Sequence, residues 1–363
     1  MHVVFDAFSV RAGSSAVILE GLLRGWREYA PQDRLTLLAS ATPEFSVADG
    51  VSLRIVEPPV KGRPGNLWNR SAGIRRLTRR LKADALVSGV TASAFFGAPC
   101  PRGVILTDLR HEVHPEQFST RRRLVRRISY GWSFHAADGI FCISERTRND
   151  LVRIHPKAAA TAITARLGAD HVDRWPTPSA ERPTYALAFG HFANKNVDAV
   201  LDAWAAFLGR PEAERWTLRL IGMGRADREA VQERVDRLGL GDRVELMPWL
   251  DDDAFVQVFA GAGLVLFPSE FEGFGLPPVE AMRLGIPVVI STDPALLEMA
   301  GGHAEVAEDL SPRPLAASIA AAITRTPEQL AAARTHTDSL SWRSMAQTIR
   351  TALVDQGAEK VGA

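Results

Sequence analysis

Two carboxylates, Glu272 and Glu280, flank a Gly273-Phe274-Gly275 turn in the stretch Pro268–Met282. Apolar runs precede it at Gly263–Phe267 and follow it at Pro287–Ser291, so the stretch reads as strand, turn, helix, strand. Pro277 and Pro278 suit the first helical positions, where a missing N–H costs nothing. A helix opening at such a turn offers backbone N–H groups and the positive end of its dipole to a phosphate. Phe274, Gly275 and Leu276 would supply those N–H groups, and glycine permits a close approach. With phosphates held there, the two glutamates would face the remainder of the ligand, which suits a nucleotide-sugar. The helix dipole alone also favours a glutamate at position 280. Glu272 lies on the loop, where helix stabilisation does not account for it.

Three further groups could act with these. Lys195 follows the run Tyr185–Phe189, and a fixed ammonium there would stabilise charge on a departing phosphate. His191 stands four residues before it. The first run ends in Phe8-Ser9-Val10-Arg11-Ala12-Gly13-Ser14-Ser15, ahead of a helical pattern from Ala16. Arg11, Gly13 and Ser14 are candidates to approach a diphosphate, although Ser14 or Ser15 could serve only as the helix N-cap.

The Pro268–Ser291 stretch resembles the signature of retaining glycosyltransferases of family 4, the glycosyl transferases group 1 with the GT-B fold. Gly222-Met223-Gly224, Phe189–Asn196, Pro248-Trp249-Leu250 with Asp253 and Phe255, and Glu298–Gly302 resemble further family elements. So do Leu106–Arg110 and Phe141–Arg146 in the first half. The resemblance implies that Glu280 takes hydrogen bonds from the nucleotide ribose. Glu272 would hold the donor-sugar hydroxyls, and Lys195 would face the β-phosphate. Gly222 and Trp249 would line the donor site, with Trp249 at the edge of the base pocket. Two positions depart from the family. His191 stands where an arginine is usual, in a loop one residue short. Thr107-Asp108 stands where many members carry His-Asp. Asp108 either binds acceptor or caps the following turn, and Arg110 or His111 could replace the absent histidine.

These residues need elements to place them. In the first half, apolar runs occur at His2–Phe8, Arg34–Leu38, Leu53–Val56, Ala85–Val87, Gly103–Leu106, Gly139–Ile143 and Thr161–Leu167. In the second they occur at Tyr185–Phe189, Thr217–Ile221, Arg243–Leu246, Gly263–Phe267 and Pro287–Ile290. Helical periodicity separates them, for example over Val197–Leu208 and Arg228–Leu238. Alternating β and α elements predict α/β architecture with parallel, covered sheets. A chain of 363 residues fits two domains. The Pro-rich stretch Asp173–Pro183 reads as the linker. The expectation is GT-B: two Rossmann-like, doubly wound domains facing across a cleft. Residues 1–172 would bind acceptor and 183–344 the nucleotide-sugar. A C-terminal helix, about 345–363, would pack back on the first domain, its pattern placing Trp342, Met345, Ile349 and Leu353 on one side.

Hydrophobic and charged contents of 46% and 23% are those of an ordinary globular protein. No run of about 18 apolar residues occurs, so no spanning helix is expected. No signal peptide is expected at the N-terminus. Cys100 and Cys142 do not make a disulfide framework, and a reducing cytoplasm is the default compartment. Residues 1–180 hold 26 Lys+Arg against 16 Asp+Glu, while the remainder hold 17 against 26, so a basic half joins an acidic half. Leu67, Ile74, Leu77 and Leu81 share a helical face among Arg75, Arg76, Arg79, Arg80 and Lys82. Arg121, Arg122, Arg123, Arg126 and Arg127 form a second cluster. These could dock anionic lipid or a polyprenyl-phosphate acceptor at the inner membrane face, or simply lie in water. Aromatic residues are not interleaved with them, which argues against nucleic acid.

The resulting expectation is a metal-independent, retaining hexosyltransferase, with mannose one candidate sugar. It would join a sugar from a nucleotide-diphosphate donor to a glycan, lipid-linked or small-molecule hydroxyl in glycan, cell-envelope polysaccharide, glycolipid or glycosylated-metabolite synthesis. No cofactor is expected, and no Asp-x-Asp metal pair is read in the chain. The alternative is a non-catalytic GT-B subunit that binds nucleotide-sugar. A sugar-nucleotide epimerase is disfavoured by the Glu272–Glu280 pattern.

Overall fold

A computed structural model describes residues 1–10, 13–60, 62–176, 183–190 and 193–362. The chain divides into two compact units, Met1–Gly168 with Leu340–Ala363, and Ala169–Ser339. The first division thus falls at 168/169 rather than 172. The turn Asp170–Arg174 is tied to the second unit by its own side chains, as shown below.

The first unit is built on seven strands: β1 (His2–Asp6), β2 (Arg34–Ala39), β3 (Val51–Ile55), β4 (Ala85–Ser88), β5 (Arg102–Leu106), β6 (Gly139–Cys142) and β7 (Ala162–Thr164). Their order is β3-β2-β1-β4-β5-β6-β7, and every pairing is parallel. β1, β4, β5 and β6 are buried throughout, as a parallel sheet covered on both faces requires.

The second unit has β8 (Tyr185–Phe189), β9 (Thr217–Ile221), β10 (Val244–Leu246), β11 (Leu264–Phe267), β12 (Val288–Ile290) and β13 (Glu305–Val306). Their order is β10-β9-β8-β11-β12-β13, again all parallel. Counted within the unit this is 3-2-1-4-5-6, the doubly wound order of dinucleotide-binding folds. Its winding reverses between β8 and β11, and ligands bind outside the carboxyl ends of strands at such a point. The helix Val197–Leu208 turns Val200, Leu201, Ala203, Trp204 and Phe207 onto the sheet.

The C-terminal helix Trp342–Gly362 belongs to the first unit, and Trp342, Met345, Ile349 and Leu353 are all buried. It lies against the helix Ser14–Tyr29, where Gly21 and Gly25 admit it. A Cβ on Gly21 would stand 2.2 Å from the Trp342 ring, and one on Gly25 would stand 2.2 Å from the Trp342 carbonyl carbon. Buried Asp33 secures the contact by accepting from Arg350 Nε at 2.7 Å and Trp26 Nε1 at 3.1 Å.

One expected helical face is corrected. Ile74 is buried, but Leu67 is exposed. A π-helical turn, Asn69–Gly73, separates the helices Arg63–Trp68 and Ile74–Arg80. Its wider turn rotates the later residues relative to the earlier ones, so the 3.6-residue spacing does not carry across. No described helix is long and apolar enough to cross a membrane.

Candidate functional site

The carboxyl ends of β8 and β11 carry the two residues of opposite charge. Past β8 comes a one-turn 3₁₀ segment, Ala193–Lys195, and past β11 the loop that leads into the helix Leu276–Arg283. Lys195 Nζ lies 2.5 Å from Glu272 Oε1 and 4.0 Å from the centre of the Phe267 ring. The lysine side chain is 7% exposed and the glutamate 17%. A buried ammonium is tolerated only when paired, and here a carboxylate and an aromatic face share the task.

Neighbours lock the pair. Asn194 Nδ2 donates to Ser269 Oγ at 2.8 Å, to the Phe271 carbonyl at 2.9 Å and toward Glu272 Oε1 at 3.1 Å. Ser269 Oγ lies 2.5 Å from the same Glu272 oxygen. Asn196 holds φ at 54°, a left-handed conformation that asparagine accepts better than most residues, and donates to the Pro268 carbonyl at 2.8 Å. On the far side the Glu272 N–H donates to Asp293 Oδ2 at 3.3 Å, while Asp293 Oδ1 caps the helix Pro294–Ala300. Glu272 is therefore held by side chains from three loops, its own among them.

Gly275 precedes the helix Leu276–Arg283 with φ of 91°, and a Cβ there would stand 2.4 Å from Leu296 Cδ2. Only glycine meets both conditions at this turn. Pro277 and Pro278 carry no N–H, so Leu276 supplies the one donor among the first three helical residues. Phe274 is buried beneath the turn.

Glu280 is not part of the Lys195 network. It is 5% exposed, and its Oε1 lies 2.9 Å from His171 Nε2. His171 stands on the turn Asp170–Arg174. Two residues on, Asp173 accepts from Arg283 Nε and Nη2, at 2.7 and 2.6 Å. That bidentate contact holds the Asp173 carboxyl below its ordinary value. Trp175 packs edge-on against His171 and Phe259. The expected linker thus begins as a strap over the helix that carries Glu280, and residues 177–182 of it lie outside the described residues.

Gly222 follows β9 with φ of 80°, and Trp249 is 71% exposed. His191 and Arg11 lie outside the described residues. In the first unit Gly13, with φ of 95°, is the N-cap of the helix Ser14–Tyr29, and no side chain caps it. That helix begins at Ser14 rather than Ala16. Asp108 Oδ1 accepts from the Arg110 N–H at 2.9 Å, the turn-capping contact. His111 is buried, edge-on to Tyr130, and neither ring nitrogen has a hydrogen-bond partner among the described residues. Burial lowers its pKa and keeps it neutral. Arg110 Nε bonds Gln117 at 2.7 Å.

Sequence reasoning passed over Asn194, Ser269, Asp293 and His171. Asn194, next to Lys195, carried the one available signal. It read no Asp-x-Asp pair, yet Asp251 and Asp253 stand at that spacing. They serve a helix start: Asp251 Oδ1 accepts from the Ala254 N–H at 2.9 Å, and Asp253 lies in the first turn of Asp252–Ala260.

Residues 170–337 match the family model of glycosyl transferases group 1, and this span is nearly the whole second unit. The second unit thus matches the glycosyl transferases group 1. The O-antigen chain mannosyltransferase B of Escherichia coli is 28% identical over 210 residues, covering 54% of this chain and 53% of that protein. A D-inositol 3-phosphate glycosyltransferase of Rhodococcus jostii is 34% identical over 148 residues, covering 39% of this chain and 30% of that protein. The chain therefore spans about half the length of the first relative and less of the second. Among solved structures, Anabaena Alr3699/HepE in complex with UDP and glucose superposes with a TM-score of 0.71 at 18% identity, over 97% of this chain and 99% of that one. WaaG, a glycosyltransferase involved in lipopolysaccharide biosynthesis, gives 0.69 at 16%, over 97% and 99%. Such likeness establishes the fold, which is GT-B.

Proposed function

We propose that this protein is a glycosyltransferase that moves a sugar from a nucleoside-diphosphate sugar to an acceptor hydroxyl, with retention at the anomeric carbon. The observation that carries the reading is the Lys195–Glu272 pair at the switch point of a group 1 unit. The donor diphosphate lies at the start of the helix Leu276–Arg283, where the Leu276 N–H and the helix dipole meet it. Lys195 turns its ammonium between Glu272 and the β-phosphate and balances the charge that appears as the bond to the sugar breaks. Glu272 takes the sugar hydroxyls. Glu280, held through one oxygen by His171, takes the ribose hydroxyls.

No carboxylate is assigned as a nucleophile, so the reading is a front-face displacement. The bond from the anomeric carbon to the phosphate oxygen breaks, and the acceptor oxygen bonds to the same face. The acceptor proton passes to the departing phosphate oxygen. Lys195 supplies the cation at the leaving group, and on this reading no divalent ion is required. The names of the relatives support a hexose as the sugar, with mannose the first to try. The acceptor is a glycan, lipid-linked or small-molecule hydroxyl.

Release of nucleoside diphosphate from a panel of UDP-, GDP-, TDP- and ADP-sugars, with and without chelator, tests this. Turnover of one donor that survives the chelator is expected. Turnover that stops with chelator overturns the metal-independent route. Tight donor binding without turnover, on any acceptor offered, overturns transfer and favours a nucleotide-sugar-binding subunit.

A further inference from the structure

We propose that the outward face of the helix Thr120–His135, with the exposed side chains beside it, docks on an anionic phospholipid membrane surface. This helix has two faces of apolar character where an ordinary surface helix has one. Ser133 and Phe134 are buried inward. On the opposite side Leu124, Ile128 and Trp132 recur every fourth residue with Val125 beside them, and all four are exposed, Trp132 by 59%. Arg121, Arg122, Arg123 and Arg127 are exposed around that stripe, and the helix contains no Asp or Glu. Arg122 and Arg126 lie over the Phe118 ring at 5.5 and 5.3 Å, which gathers their guanidinium groups. An open depression of about 540 Å³ is lined by Ser119, Arg121, Arg122, Val125 and Arg126. Three guanidinium groups with no carboxylate suit the phosphate of a lipid headgroup.

The apolar surface continues onto neighbouring segments of the same unit. Phe95 packs edge-on to Trp132, and Arg75 Nη1 donates to the Phe96 carbonyl at 2.5 Å. The loop bearing exposed Phe96 is thereby fixed between the helices Ile74–Arg80 and Thr120–His135. Leu67 and Trp68, just before the π turn, are exposed as well, and so are Arg75, Arg76, Arg79 and Arg80. Apolar side chains ringed by arginine, with tryptophan among them, match the boundary between anionic headgroups and acyl chains. A second copy of the same face would set arginine against arginine, so charge complementarity selects the lipid surface.

Co-sedimentation of the full chain with vesicles tests the inference. Binding is expected to phosphatidylcholine mixed with phosphatidylglycerol and not to phosphatidylcholine alone, and it should weaken at high salt. The combined change Arg121→Gln, Arg122→Gln and Arg123→Gln should lower that binding by about 100-fold, at roughly fivefold per arginine. Ile128→Ser with Trp132→Ser should lower it at least about tenfold. All these side chains are exposed, so far-UV circular dichroism should be unchanged. Absence of binding to mixed vesicles, or equal binding by both variants and wild type, overturns the proposal. So does a concentration-dependent dimer that Trp132→Ser abolishes, because a second copy would then be the occupant.

Discussion

Glu272 and Lys195 are each other's condition for burial. Removing one partner of a buried pair leaves an uncompensated charge and costs about 3–5 kcal/mol, so an alanine variant confounds chemistry with stability. Glu272→Gln confounds them less, because the amide keeps an oxygen for Asn194 and Ser269, although it loses the charge that pairs Lys195. On the proposed reading it should lower kcat by about 100-fold or more, measured as nucleoside diphosphate release well below a melting temperature that the unpaired Lys195 lowers by several degrees. Glu280 has a different dependence, since His171 holds its Oε1. His171→Ala should raise the KM for donor about tenfold with little change in kcat, the mark of lost uniform binding. A loss confined to kcat would remove His171 from the donor-positioning role.

Between elements, two contacts of the C-terminal helix can be tested. Gly21 exists because the Trp342 indole occupies the place of a side chain. Gly21→Ala should cost about 1–3 kcal/mol through overpacking, visible in urea denaturation. Asp33 ties Arg350 to Trp26. Burial alone would raise its carboxyl pKa, but the hydrogen bonds from Arg350, the N-terminus and Trp26 outweigh that and hold it below the ordinary value. A depressed carboxyl stabilises the fold above its unfolded pKa, near 3.9, and loses the contribution as pH falls through the folded value. Asp33→Asn should therefore cost about 1.5–3 kcal/mol at pH 7, and the difference from wild type should shrink below about pH 4. A difference that stays constant with pH would contradict this assignment.

For the molecule as a whole, likeness to solved structures at 18% and 16% identity specifies GT-B and leaves the substrate to individual side chains. The base is accessible to a direct measurement. A nucleoside diphosphate at 100 times its dissociation constant should stabilise the unit that binds it by about 2.7 kcal/mol. A melting shift of a few degrees with one of UDP, GDP, TDP or ADP is the expected result, and Glu280→Gln should diminish it. No shift with any of the four would contradict a donor site at the Leu276 helix.

The sequence by itself determined the strand–helix alternation, because buried parallel strands must be apolar runs and the helices between them must carry a 3.6-residue stripe. It missed β13, whose two residues, Glu305 and Val306, are too few for any period to show. It marked Glu272 and Lys195, because a carboxylate on a loop and a lysine past a strand have no local structural cause, and Glu280 through its spacing from Glu272 in the family signature. Only the tertiary structure decided what those residues touch. Ser269 sits 75 positions from Asn194, and His171 sits 109 from Glu280. Contacts over such separations are made by strand order, and no local spacing in a sequence encodes them. The same holds for Leu67, which leaves its expected face because a π turn resets the phase of the helix.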